Sequence, residues 1–178
     1  MKKQIARQIK TPLFWAQAAI IATLYTALSV GLAPFSFGPI QLRVSEALCV
    51  LLAFTFAAVP GLFVGCVLSN LIGLSMGLST LPDVICGSIA TLLAAVLGYL
   101  LRKNTFLLPL PTVLVNAVIV GWVVHTFFTP SIALVLCMIY VGIGQVLACY
   151  AIGLPLLYLL RKSRAIEQFF AEPSAISH

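Results

Sequence analysis

Residues 47–78 read ALCVLLAFTFAAVPGLFVGCVLSNLIGLSMGL, a run with no charged side chain. It is too long for a single membrane crossing of about 20 residues, and Pro60-Gly61 interrupts it. The run therefore divides into a second helix over 45–58 and a third over 61–78. The basic residues test that division. Lys2, Lys3, Arg7 and Lys10 precede the first apolar stretch, Arg102 and Lys103 sit between later ones, and Arg161, Lys162 and Arg164 follow the last. Cytoplasmic loops are enriched in Lys and Arg, and six crossings place all three clusters on that side. One crossing over 47–78 would send the second and third clusters outward. A re-entrant hairpin turning at Pro60-Gly61 gives the same parity as two crossings, so the sequence leaves those two alternatives open.

Working outward, 178 residues that are 62% hydrophobic and 8% charged, with a mean hydropathy of +1.15, cannot furnish a charged soluble surface. The chain reads as an all-α membrane protein, one domain over 1–178. Its net charge of +6 lies mostly in the flanking clusters. These read as topology anchors against anionic headgroups and not as a nucleic-acid surface. The expected layout is a basic segment 1–12, helices over 13–33, 45–58, 61–78, 82–101, 110–128 and 131–160, and a tail 161–178, with both termini cytoplasmic. Pro34 to Pro39 ends the first helix, Pro82 falls in the first turn of the fourth, and Pro155 beside Gly153 kinks the sixth. A basic start before an apolar stretch also mimics a leader, with Ala27-Leu28-Ser29 as a loose cleavage match. The length of the stretch favours a retained first span.

Five cysteines, Cys49, Cys66, Cys86, Cys137 and Cys149, form no CxxC pair and no metal spacing, and read as small buried hydrophobes. Two helices carry small residues at every fourth position. Gly61, Gly65, Ser69, Gly73 and Gly77 mark the third, where packing inside the bundle is the simpler reading. On the first, Ala18, Ala22 and Thr26 run beside Ala19, Thr23 and Ala27, a smooth face that suits either internal packing or a partner helix.

Only three charged side chains, Arg43, Glu46 and Asp83, lie between Lys10 and Arg102, and none of Asp, Glu, Lys or Arg occurs over 104–160. Charge inside a bilayer is costly, so these three mark a candidate site. All fall near the outer ends of the helices. His125 lies about one turn below the outer end of its helix, Asn70 roughly 12 Å and Asn116 roughly 18 Å below theirs, and Gln145 deeper still. The polar groups converge on the outer half of the bundle, as a pocket does and a continuous pore does not. Each has a structural alternative. Arg43 and Glu46 can neutralise one another at helical spacing, Asp83 can serve the helix dipole, His125 can bond a carbonyl, and Asn116 and Gln145 can join helices. Two carboxylates against one arginine leave a negative surplus suited to a cationic or donor-rich ligand. No GxSxG, HExxH or GxxxxGK[ST] pattern is present, so no enzyme chemistry, cofactor or metal site is expected and any ATP hydrolysis needs a partner.

The segment from Leu32 to Leu48, with Arg43-Val44-Ser45-Glu46-Ala47-Leu48 at its end, then Pro60-Gly61-Leu62-Phe63-Val64-Gly65-Cys66 and Asp83-Val84-Ile85-Cys86-Gly87-Ser88, resembles the QueT family. The likeness runs from about Leu24 to Leu160. Its members are substrate-binding S-components of energy-coupling factor (ECF) transporters. The resemblance implies a six-helix subunit that captures a queuosine precursor, an aminomethyl-7-deazaguanine or related base, from outside. It also implies docking on a transmembrane coupling subunit with two ATPase subunits. The residues agree with such a ligand. A guanine-like edge presents adjacent donors that one carboxylate accepts, and an ammonium arm wants a second, so Glu46 and Asp83 fit. Arg43 then orients Glu46; Asn70, Asn116, His125 and Gln145 are candidates for the base carbonyl and ring nitrogen, and Phe35, Phe37, Trp122 and Phe127 for stacking. The S-component AxxxA docking stripe is matched by Ala18 and Ala22, while the row Ala19, Thr23, Ala27 has its middle alanine replaced. An S-component for another vitamin is the alternative of the same kind; a proton-coupled carrier lacks its inverted repeats and mid-membrane charge here.

Overall fold

The computed structural model describes residues 5, 8–37 and 41–170, without the side chains of residues 165, 167 and 168. Lys2, Lys3, Arg7, the Gly38-Pro39 turn and residues 171–178 lie outside the described residues. Helix α1 (Pro12–Gly31) starts where Thr11 Oγ1 accepts the Phe14 N–H at 3.3 Å, with Pro12 in the first turn where its missing donor costs nothing. A single turn, α2 (Ala33–Ser36), leads to a 3₁₀ helix over Val44–Ala53. Then come α3 (Ala58–Ser75), α4 (Asp83–Leu100), α5 (Leu110–Phe128), α6 (Leu134–Lys162) and the short α7 (Arg164–Phe170).

Helices α1, α3, α4, α5 and α6 are long and apolar enough to cross a bilayer, and the protein is a multi-pass membrane protein. The expected second helix over 45–58 is corrected. In its place stands the 3₁₀ segment, whose residues Ser45 to Leu52 are all buried. Surrounded on every side, this segment has no polar face and no helical period to announce it. At about 2.0 Å rise its ten residues reach about 20 Å, where an α-helix of that length reaches about 15 Å. The break also moves: α3 begins at Ala58, so Pro60 sits in its first turn, and the chain turns over Phe54 to Ala57, where the Ala57 N–H donates to Thr55 Oγ1 at 3.2 Å.

Among the described residues three wide turns with i→i+5 geometry punctuate the bundle, Asp83–Gly87 opening α4, Val124–Phe128 closing α5, and Leu147–Ile152 within α6. The last has a local cause. Pro155 offers no N–H, and its ring crowds the carbonyl of Ala151, so the helix widens one turn before the proline.

Side-chain bonds gather the basic segments at one end of the bundle. Gln17 Nε2 donates to the Phe169 carbonyl at 2.6 Å, Thr55 Oγ1 to Gln17 Oε1 at 3.0 Å, and Arg161 Nη1 to Thr105 Oγ1 at 3.2 Å. The start of α1, the end of the 3₁₀ segment, the α4–α5 loop and the end of α6 therefore meet there. The tightest seam joins α1 to α3. A Cβ on Gly61 would lie 2.9 Å from the Ala18 carbonyl, and one on Gly65 2.7 Å from Tyr25 Cβ, so these two positions need glycine for the backbones to approach. The ladder ends at Gly77, whose φ of +71° closes α3 with the Leu78 N–H donating to the Gly73 carbonyl at 2.8 Å.

Candidate functional site

At the end of the bundle opposite the basic residues, all three buried charges meet the amides. Arg43 enters from the residue before the 3₁₀ helix, 3% exposed. Its Nη2 donates to Asn70 Oδ1 at 2.6 Å, its Nε to the Ser36 carbonyl at 3.4 Å, and its Nη1 to Cys66 Sγ at 3.8 Å. The half-buried Phe37 ring lies under the guanidinium, 5.4 Å from centroid to Cζ. Asn70 is held from the other side, where its Nδ2 donates to the Asp83 carbonyl at 3.1 Å. That carbonyl sits in the wide turn opening α4, which loosens the helix's own hold on it.

Glu46, 2% exposed, accepts the Tyr25 hydroxyl on Oε1 at 2.6 Å. The Asn116 amide N–H and the Thr91 hydroxyl face the same carboxylate at longer range. Among the described residues no Lys or Arg nitrogen comes within 4.0 Å of a carboxylate oxygen, so Arg43 and Glu46 do not form an ion pair despite their spacing. Asp83 combines two roles. Its Oδ2 accepts both the Thr80 N–H at 2.9 Å and the Thr80 hydroxyl at 2.8 Å, bracing the turn that leads into α4, and its charge acts on Arg43.

The floor is amide. Asn116 Nδ2 donates to Gln145 Oε1 at 3.3 Å, and Gln145 Oε1 also takes the Cys149 thiol at 3.9 Å. Asn116 Oδ1 and Ser88 Oγ are buried with no hydrogen-bond partner. In a membrane interior such atoms are expensive, and each native instance calls for a reason. Glu46, Asn116 and Ser88 thus keep oxygen atoms buried in the bundle, Asn116 Oδ1 and Ser88 Oγ without a partner. Among the described residues no three His, Cys, Asp or Glu side chains group as metal ligands.

A family profile described as "QueT transporter" matches residues 15–162. The chain belongs to the QueT transporter family. It is 40% identical over 85 residues to a Lactococcus lactis subsp. cremoris (strain MG1363) protein called queuosine precursor transporter QueT, and that match spans 47% of each chain, about half the relative's length. No solved structure matches.

In this QueT family chain the structure brings Arg43, Glu46, Asn70, Asp83, Asn116 and Gln145 into one cluster with Phe37 at its edge. It places the other candidates elsewhere. His125 Nδ1 bonds the Ile132 carbonyl at 2.8 Å across the α5–α6 turn. Trp122 is 45% exposed against Phe127, and Phe35 is 61% exposed, all on the outer surface. Tyr25 and Thr91 join the cluster without having been singled out from sequence. Cys66, read as a hydrophobe, sits among polar groups, its Sγ facing Asn70 Nδ2 at 3.4 Å and Thr91 Oγ1 at 3.3 Å.

On α1 the two small-residue rows separate. Ala18 and Ala22 are buried in the seam with α3, whereas Ala19, Thr23 and Ala27 face outward. A shallow apolar groove of about 180 Å³, lined by Trp15, Ala18, Ala19, Ala22, Pro60 and Val64, runs along that boundary.

Proposed function

We propose that this protein is the substrate-capture subunit, or S-component, of an ECF-type importer in the bacterial cytoplasmic membrane. It binds a queuosine precursor, aminomethyl-7-deazaguanine or a related base, from outside and docks on a coupling membrane subunit carrying two ATPases. The observation that carries the reading is the buried polar cluster of Arg43, Glu46, Asn70 and Asn116, in which no ion pair closes between Arg43 and Glu46, at the end away from the basic residues. Family membership and the relative's name support the ligand. The gathering of Lys10, Arg102, Lys103, Arg161 and Lys162 towards the other end supports six crossings, the 3₁₀ segment being the short second one, with both termini cytoplasmic.

In this mechanism Glu46 takes the paired N–H donors of the guanine-like edge, with Tyr25 fixing its carboxylate. Arg43, steadied by Asn70, Ser36 and Phe37, donates to the base carbonyl. Asp83 Oδ1 attracts the ammonium arm while Oδ2 keeps the helix cap. Transport itself needs partner ATPases, since the sequence has no nucleotide-binding motif. Purified protein binds labelled aminomethyl-7-deazaguanine saturably, and Glu46→Gln weakens that binding at least about tenfold. In liposomes the protein alone binds the base without concentrating it, and accumulation appears only with the coupling subunit and ATPases. Accumulation driven by a proton gradient without any ATPase overturns the reading.

A further inference from the structure

The 3₁₀ segment Val44–Ala53 leads from the buried cluster at one end of the bundle to the basic end at the other. Runs of this helix rarely pass three or four residues, because its hydrogen bonds are poorly aligned, so one of ten residues depends on its surroundings. At the cluster end Asn70 and Ser36 hold Arg43, and Tyr25 holds Glu46. At the basic end the hold comes from α7. Gln17 Nε2 donates to the Phe169 carbonyl at 2.6 Å, Gln17 Oε1 accepts the Thr55 hydroxyl at 3.0 Å, and the Phe170 and Phe54 rings lie with centroids 6.1 Å apart. A carbonyl only accepts, so the Gln17 amide has one orientation here, with nitrogen towards Phe169 and oxygen towards Thr55.

Where α7 holds it, the backbone already mixes two patterns. The Leu51 carbonyl accepts the Phe54 N–H at 3.0 Å and the Thr55 N–H at 3.2 Å, a 3₁₀ bond and an α bond on one oxygen. Carried through all ten residues, the α pattern would shorten the segment by about 5 Å. The Glu46–Tyr25 bond, 2.6 Å long, cannot survive a shift of that size. We propose that α7 is a strap that keeps the 3₁₀ segment at full length and so keeps Glu46 on Tyr25, coupling the basic end of the bundle to the buried cluster. With the strap docked the segment is 3₁₀ and Glu46 is in place; with the strap released the segment relaxes towards α and draws Glu46 out of the cluster. The inference rests on the proposed base site only for what Glu46 binds.

Two full-length variants loosen the strap at different points. Gln17→Leu removes both amide bonds, and Phe170→Ala removes the ring against Phe54. Phe170 is half-buried, so its variant serves if Gln17→Leu does not fold. Amide hydrogen exchange of the ligand-free protein over 44–53 and 164–170 rises at least about tenfold in both, while exchange over 110–123 in α5 stays at the wild-type rate. A general loss of stability raises all three. Phe170→Leu, which refills the space, restores the wild-type rates. Affinity for 7-deazaguanine falls about threefold to tenfold in the two loosened variants, and because coupling is reciprocal, the bound base slows exchange over 164–170 in the wild type. Unchanged exchange over 44–53, a rise shared by 110–123, or exchange over 164–170 that ignores a bound base each overturns the inference. A wild type that does not bind 7-deazaguanine removes the reading of the site instead, and the ligand-free rates still decide whether α7 holds the segment.

Discussion

Arg43 is a full positive charge buried in the bundle and, among the described residues, bonded to neutral acceptors, the Ser36 carbonyl, Cys66 and Asn70. Glu46 nearby is met by a single close donor, the Tyr25 hydroxyl at 2.6 Å. Charges held apart in this way stay available to a ligand, whereas a closed ion pair would have to be broken first. Tyr25 therefore decides how well Glu46 is aimed. Tyr25→Phe removes one hydrogen bond to a charged group, worth about 1.5–3 kcal/mol. The expected result is a loss of about tenfold to a hundredfold in affinity for 7-deazaguanine by titration, with the fold intact by circular dichroism. Affinity equal to wild type would mean that Glu46 needs no such support. The charged members of the cluster were legible in the sequence because burial of charge in lipid is costly and rare. Tyr25 and Thr91 were not, since hydroxyls are common in apolar helices and usually bond their own backbone, as Thr23 does to the Ala19 carbonyl and Thr26 to that of Ala22. Nothing in the sequence tells which way a hydroxyl turns. The same silence covers the aromatic residues, where Phe37 reaches Arg43 but Phe35 and Trp122 face outward.

The α1–α3 seam links packing to the site, because Tyr25 belongs to both. Gly65 touches the Tyr25 side chain closely enough that an added Cβ would lie 2.7 Å from Tyr25 Cβ and 3.0 Å from the Ala22 carbonyl. Gly65→Ala must push the helices apart or displace Tyr25, at a cost of about 1–3 kcal/mol for overpacking. The expected outcome is a lower thermal midpoint in detergent together with weaker base binding. Gly31→Ala, at a position with nothing within 4 Å, changes neither. A Gly65→Ala protein with unchanged midpoint and affinity would show that the seam yields without moving the site. At this scale the five long helices could be read because hydropathy and Pro or Gly punctuation survive in any packing arrangement. The 3₁₀ segment could not. A stretch buried on all sides has no amphipathic period, and a short apolar run fits helix, 3₁₀ turn or half-span equally. Pro60 misled for a related reason, since a proline both breaks a helix interior and suits a first turn, and only the neighbouring contacts tell which.

At the scale of the molecule the two rows of α1 divide the work that the sequence left joined. Ala18 and Ala22 are spent inside, against Gly61, Gly65 and their neighbours, which leaves the outward row of Ala19, Thr23 and Ala27 and the groove beside it as the face that the proposed docking would use. Smooth small-residue faces permit close backbone approach, and a large side chain there holds the helices apart. If the protein docks on a coupling subunit through α1, Ala19→Trp and Thr23→Trp reduce co-purification of that subunit at least about tenfold. Base binding by the isolated protein stays at the wild-type level in both, because neither side chain touches the cluster. Ala22→Trp behaves differently. It strikes the seam with α3, so it lowers the yield of folded protein and base binding together. Pull-down of the coupling subunit beside titration with 7-deazaguanine separates the two classes. Should Ala19→Trp and Thr23→Trp capture the partner as well as wild type does, the outward row faces lipid throughout the cycle and docking proceeds through another surface.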